Sequence, residues 1–232
     1  MTSPPKAWLA WSSGKDSAWA LHLVRQTGAF DVVALLTTVN RTHARVAMHA
    51  VRESLLEMQA EAAGLRLEKV TIPSPCSNEI YEAAMGEAME RARSEGVLHV
   101  VFGDLFLEDI RAYREKHLGA VGMTPVFPVW RRDTANLARE MLAGGLSAFL
   151  TCVDPRKLGR ELAGRRFDAS LIADLPSGID PCGENGEFHT FACAGPMFRH
   201  PIPVTPGEIV ERDGFVFADL LPASASAGNA TQ

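Results

Sequence analysis

The first half of the chain alternates short, unbroken apolar runs with segments of helical periodicity, and few architectures satisfy that rhythm. Ala7 to Trp11, Val32 to Leu36, Leu67 to Ile72 and Val97 to Phe102 are the apolar runs. Each is short enough for a strand and lacks polar alternation, so each is expected to be covered on both faces. Between them, Lys15 to Gln26 sets Ala18, Leu21 and His22 on one stripe, and Val46 to Ala63 reads as a long helix stopped by Gly64. Ser77 opens a helix that runs to about Glu95, and another is expected from about Leu107 to Leu118. A parallel strand pair needs a crossover connection, so the expected fold is α/β, a parallel sheet with helices on both faces. Ligands in such sheets gather beyond the carboxyl ends of the strands. Ser12 to Ser17, Thr37 to Asn40 and Gly103-Asp104 occupy those ends.

A smaller C-terminal α/β region is expected from near residue 122. Met123 to Trp130 reads as a strand interrupted by Pro125 and Pro128, Asp133 caps a helix to Leu142, and Leu146 to Val153 is a further apolar strand. Beyond Pro176 come loops and short strands, with a hairpin in which Ile209 to Glu211 and Phe215 to Phe217 flank Arg212-Asp213-Gly214. Pro222 to Gln232 is rich in Ala and Ser, carries no charge, and is expected to be a flexible tail. With 232 residues, 47% of them hydrophobic, the chain can bury a substantial core. A net charge of -5 argues against broad capture of nucleic acid or anionic lipid. Small molecules or proteins are the expected partners, with no membrane partner, and a homo-oligomeric assembly is left open. The four cysteines form no C-x-x-C pair, and the N-terminal apolar run is too short for a signal core or a membrane span. A cytoplasmic location is expected.

The chemistry concentrates at Ser12-Ser13-Gly14-Lys15-Asp16-Ser17, between an apolar strand and a helix. A helix start offers unpaired N–H groups and the positive end of a dipole, and small residues let an anion approach the backbone. Gly14 supplies the turn, the hydroxyls of Ser12, Ser13 and Ser17 can donate, and Lys15 adds a point charge. The stretch is not a Walker A loop, which needs glycine where Leu9 stands and Ser or Thr where Asp16 stands. A single glycine also excludes a Rossmann fingerprint.

This loop resembles that of the PP-loop ATP pyrophosphatases, S-G-G-x-D-S, with Ser13 in place of one glycine. The resemblance implies cleavage of ATP between its α- and β-phosphates, with Lys15 and the loop amides on phosphate oxygens and Asp16 helping to place Mg2+ or its water shell. A second stretch, Cys182-Gly183-Glu184-Asn185-Gly186-Glu187-Phe188-His189-Thr190-Phe191, is followed by Gly195-Pro196. Together with Gly103-Asp104 and Pro128-Val129-Trp130 it resembles the diphthine ammonia ligase family, and the likeness extends from about Trp8 to about Arg199. What it implies is an adenine nucleotide alpha hydrolase-like fold, with an ATP-binding PP-loop domain over 1–122 and a substrate-recognition region over 123–221. It also implies a ligase that adenylylates a carboxylate acceptor, which is borne by a protein in that family, and passes it to ammonia or an amine donor as an amide. In that reading Lys15, Asp16, Glu184 and Glu187 are catalytic, and Ser12, Ser13, Gly14, Ser17, Thr37, Gly103 and Asp104 join Lys15 and Asp16 around the nucleotide. Asn185, His189 and Thr190 face the substrate, and Asp16 and Asp104 reach the metal.

Blander roles stand beside these. Glu184 and Glu187 can brace a glycine loop by accepting backbone N–H bonds, Cys182 can pack as a small hydrophobe, and Tyr113 and Trp130 are expected in core or interface. His43 and His49 flank a basic segment, Arg41 to Arg52, read as a solvated helix start. Zinc binding by Cys182 and His189 lacks further spaced ligands, and no G-x-S-x-G elbow supports Ser-His-Asp hydrolysis. An ATP- or AMP-binding module without ligation, and a related enzyme with a different acceptor, are the alternative readings.

Overall fold

A computed structural model describes residues 3–40, 45–46 and 51–223. Its first sheet is formed by β1 (Lys6–Ala10), β2 (Asp31–Asn40), β3 (Arg45–Val46), β4 (Arg66–Ile72), β5 (His99–Val101) and β6 (Thr124–Val126). Strand β1 lies between β2 and β5, with β4 outside β2 and β6 outside β5, and all of these pairs are parallel. The chain therefore lays strands to one side of β1 and then to the other, and the order reverses between β1 and β5. That switch point opens a crevice at the carboxyl ends of the strands.

Burial explains the apolar runs. On one face Ala7, Leu9 and Leu35 pack with Ala18 and Leu21 of α1 (Lys15–Thr27) and with Leu55 and Leu56 of α2 (Glu53–Ala63). On the other, Trp8, Ala34 and Val100 pack with Ala88, Met89 and Ala92 of α3 (Asn78–Ser94) and Leu118 of α4 (Glu108–Ala120). Alternate residues of β1 thus enter different cores, each fully buried large side chain contributing about 2 kcal/mol. The expected helices on both faces are present. Ser77 caps α3 by accepting from the Ile80 N–H, and Asp133 caps α5 (Thr134–Ala143) by accepting from the Asn136 N–H at 2.8 Å.

Two expectations are corrected. The helix expected from Val46 begins at Glu53, and Arg45–Val46 is a strand. Strand β2 runs on to Asn40, past Leu36 where its pairing with β1 ends, and β3 satisfies that edge by pairing at Val39 and Asn40. The strand expected over Met123 to Trp130 shortens to Thr124–Val126 and belongs to the first sheet, so the change of sheet falls after Val126 rather than at 122. Pro125 is tolerated because β6 is an edge strand. The expected C-terminal α/β region carries a second sheet, antiparallel throughout. It comprises β7 (Ser147–Val153), β8 (Arg166–Phe167), β9 (Phe188–Ala194), β10 (Val204–Arg212) and β11 (Phe215–Pro222), with α6 (Ala169–Asp174) beside it. Sequence reading missed β8 and α6 and shortened the β10–β11 hairpin. Most of the expected tail, and His43 and His49, lie outside the described residues.

The two sheets share one core, because Leu150, Phe188 and Phe191 join the cluster that holds α1 and α2. The loop after β5 presses on the start of α1. A Cβ on Gly103 would stand 2.7 Å from both Asp16 C and Ser17 N, backbone atoms that cannot swing aside. Gly103→Ala is therefore expected to destabilise the fold by about 2 kcal/mol through forced backbone movement. A urea melt checks this as a lower midpoint with an unchanged slope.

Candidate active site

The loop after β1 is built from hydroxyl contacts. Ser12 Oγ lies 3.1 Å from Ser17 Oγ and accepts from the Gly14 N–H at 3.3 Å, while Ser17 Oγ donates to the Gly14 carbonyl at 3.0 Å. Gly14 caps α1 in extended backbone with no side-chain cap, which leaves the helix start facing the crevice. Ser13 takes φ 68, a left-handed conformation that a non-glycine residue holds at a cost of about 1 kcal/mol or more. Its carbonyl is fixed by the Ala192 N–H at 2.9 Å and by Gln59 Nε2 at 3.0 Å.

Strand β9 closes the loop from the other sheet. The Lys15 N–H donates to Thr190 Oγ1 at 3.1 Å, and the buried Lys15 ammonium donates to Asp16 Oδ2 at 2.8 Å and to the Cys182 carbonyl. Burial alone would lower the Lys15 pKa, but Asp16 and the neighbouring acidic groups outweigh it and raise it, so the ammonium stays charged. Burial pushes the Asp16 carboxyl upward against the pull of Lys15. Its Oδ1 is buried without a hydrogen-bond partner.

The second signature forms a loop braced from within. Asp180 Oδ2 accepts from the Glu184 N–H at 2.8 Å, and Glu187 Oε1 accepts from the Asp180 N–H at 3.3 Å and from Asn185 Nδ2 at 3.1 Å. Gly183, at φ 72, admits Phe188 where a Cβ would stand 2.8 Å from the Phe188 carbonyl oxygen. Glu184 turns the other way, its Oε1 accepting from the Leu105 N–H at 2.8 Å beside Asp104. Burial, against that hydrogen bond, pushes the Glu184 carboxyl up to about 7. Burial, aided by Lys15, takes the His189 imidazole down to about 4, so it is neutral at neutral pH. Burial likewise drives the Cys182 thiol well above its usual range, which disfavours the thiolate, and its Sγ contacts the Thr134 carbonyl. Asp104, raised by burial, is held by Arg114 at 3.4 Å.

One cavity of about 580 Å³ gathers these groups. Ser12, Gly14, Lys15, Asp16, Ser17, Thr37, Gly103, Asp104, Glu184, His189 and Thr190 line it. Ser13, Asn185 and Glu187 do not: Ser13 presents its backbone to β9, and Glu187 and Asn185 brace the second loop. Thr37 Oγ1 is buried without a partner. Sequence reading missed Gln59 and Arg114, and it set Tyr113 in core or interface, whereas Tyr113 stands on the cavity wall between α3 and α4 with Tyr81. Among the described residues no three His, Cys, Asp or Glu side chains converge as a metal cage.

A parallel sheet whose order reverses beside a small-residue loop, opening a helix on Lys15-Asp16, defines a nucleotide-binding α/β protein of the adenine nucleotide alpha hydrolase-like class. The chain belongs to the diphthamide synthase family. The family's N-terminal domain profile matches residues 5–125 and its C-terminal domain profile matches residues 133–218. The chain is 27% identical over 232 residues to the diphthine--ammonia ligase of Danio rerio, covering 90% of both chains. It is 25% identical over 234 residues to that of Homo sapiens, and 27% over 181 residues to that of Rattus norvegicus, the alignments covering 86% and 67% of those relatives and 90% and 71% of this chain. Membership carries the general class, an ATP-dependent ligase of the PP-loop kind. No helix of the described residues is long and apolar enough to cross a membrane.

The raised carboxyl predicts a measurable linkage. Glu184 binds a proton more tightly folded, near 7, than unfolded, near the model-peptide value of 4.5, so its contribution is full below the lower value and lost as pH rises through the upper. Wild type is expected to lose stability relative to Glu184→Gln between those limits, because Gln still accepts from Leu105 and carries no charge to bury. Paired urea melts across that pH range check it, and parallel pH profiles would contradict it.

Proposed function

We propose that the protein adenylylates a carboxylate acceptor with ATP, releasing pyrophosphate, and passes the activated acyl group to ammonia to form an amide. The observation that carries this reading is the meeting, in one cavity, of the Lys15-Asp16 loop with Glu184, a carboxyl raised to where it exchanges a proton near neutral pH. A carboxylate is a poor electrophile and AMP is a good leaving group, so activation must precede amide formation. The Lys15 ammonium, with three donors and two already given to Asp16 and Cys182, retains one for a phosphate oxygen. Held charged and buried, it favours negative charge as it develops at the α-phosphate.

The donor set fits magnesium, which favours one or two carboxylates together with substrate phosphates. Asp16, with its unpartnered Oδ1, and Asp104 would hold it. Bound there, the ion would neutralise phosphate charge. Glu184, when ionised, would take up the proton that ammonium sheds before its nitrogen attacks the acyl carbon, and His189 would line the site as a neutral ring. Thr190 Oγ1 keeps the first amide of α1 in place, and Thr37 Oγ1 offers a hydrogen bond to the nucleotide. By kinship with the relatives named diphthine--ammonia ligase, the acceptor is a diphthine-like carboxylate borne by a protein.

Incubation with ATP, Mg2+, ammonium and the acceptor is expected to yield AMP and pyrophosphate, and ADP as the sole nucleotide product would overturn the reading. Lys15→Ala and Asp16→Ala are each expected to lower turnover at least about a hundredfold, the scale for removing one preorganised electrostatic contact. Circular dichroism and activity of the same preparations check this. MgATP binding without pyrophosphate release across a panel of acceptors would favour a nucleotide-binding module instead.

A further inference from the structure

We infer that Gln59, on α2 and outside the cavity lining, is a positioning residue that aims the Gly14 amide at the bound anion. Its side chain is fully buried and fully committed. Oε1 accepts from Trp11 Nε1 at 2.8 Å, and Nε2 donates to the Ser13 carbonyl at 3.0 Å and to the Ala192 carbonyl at 2.7 Å. The amide therefore joins Trp11, just past the end of β1, the loop and β9 through one planar group, with both donors and the acceptor used.

The consequence for the loop comes from peptide planarity. In a trans peptide the C=O of one residue and the N–H of the next point in opposite directions. The Ser13 carbonyl, pulled toward Gln59 and the Ala192 N–H, obliges the Gly14 N–H to point the other way. Gly14 lines the cavity, and its N–H meets only a long contact, 3.3 Å, to Ser12 Oγ, which lines it too. An incoming phosphate oxygen can take that donor over. Ser13 itself holds φ 68, a conformation unfavourable for a side chain with a Cβ, and the two bonds to its carbonyl help to keep the loop in it.

The assignment rests on the reading of the loop as a phosphate site and says which residue orients it. Gln59→Glu is nearly isosteric but turns an acceptor toward the Ser13 and Ala192 carbonyls, and Gln59→Met keeps the volume while removing the amide. Calorimetric titration with MgATP, at a temperature where every variant is folded, is expected to show binding weakened by about tenfold or more in both, and more in Glu, as for loss of a hydrogen bond to a charged group. A merely structural role would lower melting temperature and leave that affinity unchanged, and this result would overturn the assignment. Nitrogen-15 NMR of the wild type needs no variant: the Gly14 amide is expected among the most strongly shifted on adding MgATP, and an unmoved Gly14 in a protein that binds MgATP overturns it equally. Failure of the wild type to bind MgATP would instead remove the nucleotide reading itself, and this assignment with it.

Discussion

A lysine ammonium removed from water needs its compensation within reach, and the site is organised around the place where Lys15 finds it. Lys15 is 2% exposed, and its partners come from separate parts of the chain: Asp16 from its own helix turn and the Cys182 carbonyl from the loop before β9. Phe167 and Phe188 set their ring faces toward the same ammonium, at 5.6 and 5.3 Å. A charge buried this way leaves little freedom, since removing one partner strands the other. Lys15 therefore holds the second loop against the first, and the antiparallel sheet against the parallel one.

The two sheets meet because each supplies what the other lacks. Parallel strands end in a crevice with a helix start beside it, a good anion site with few side chains of its own. The second loop adds them. Its inner carboxylates, Asp180 and Glu187, accept N–H groups and give the turn its shape, which frees Glu184 to cross to the Leu105 amide. Two carboxylates a few residues apart thus separate in role by environment: Glu187 accepts two hydrogen bonds inside its loop, whereas Glu184 is raised to about 7 at the cavity wall. His189, which lines the same cavity, is driven the opposite way by burial and is neutral. Burial disfavours charge on acid and base alike: it brings the Glu184 carboxyl to where it exchanges a proton near neutral pH, and it keeps His189 neutral and weakly basic.

What was legible in the sequence follows from the same physics. The apolar runs of β1, β2, β4 and β5 stood out because both faces are covered, and the loop at Ser12 to Ser17 because small and charged residues cluster at one strand end. Glu187 was harder to place. Nothing in Gly-Glu-Asn-Gly-Glu says which carboxylate turns inward, since that depends on where the Asp180 amide lies. Gln59 was invisible for a plainer reason: a glutamine within a helical stripe reads as a surface residue, and only the packing of three distant segments shows it buried. Strand β8 and α6 were missed because a two-residue strand carries no periodicity of its own. The early start given to α2 ignored the demand of β2 for a partner beyond the end of β1.

Charge balance at the cavity bears on how a nucleotide would enter. Asp16, Glu82, Asp104 and Glu184 face it, against Lys15 and Arg114, and both cations are already engaged with carboxylates. A polyphosphate arriving alone would meet acidic groups whose compensation is spoken for. One arriving with a divalent cation would present positive charge to the Asp16 Oδ1 that lacks a partner, while the helix start and the Gly14 amide receive its oxygens. Lys15 pairs with Asp16 in this structure, so an incoming cation and phosphate would compete with that pair for both side chains.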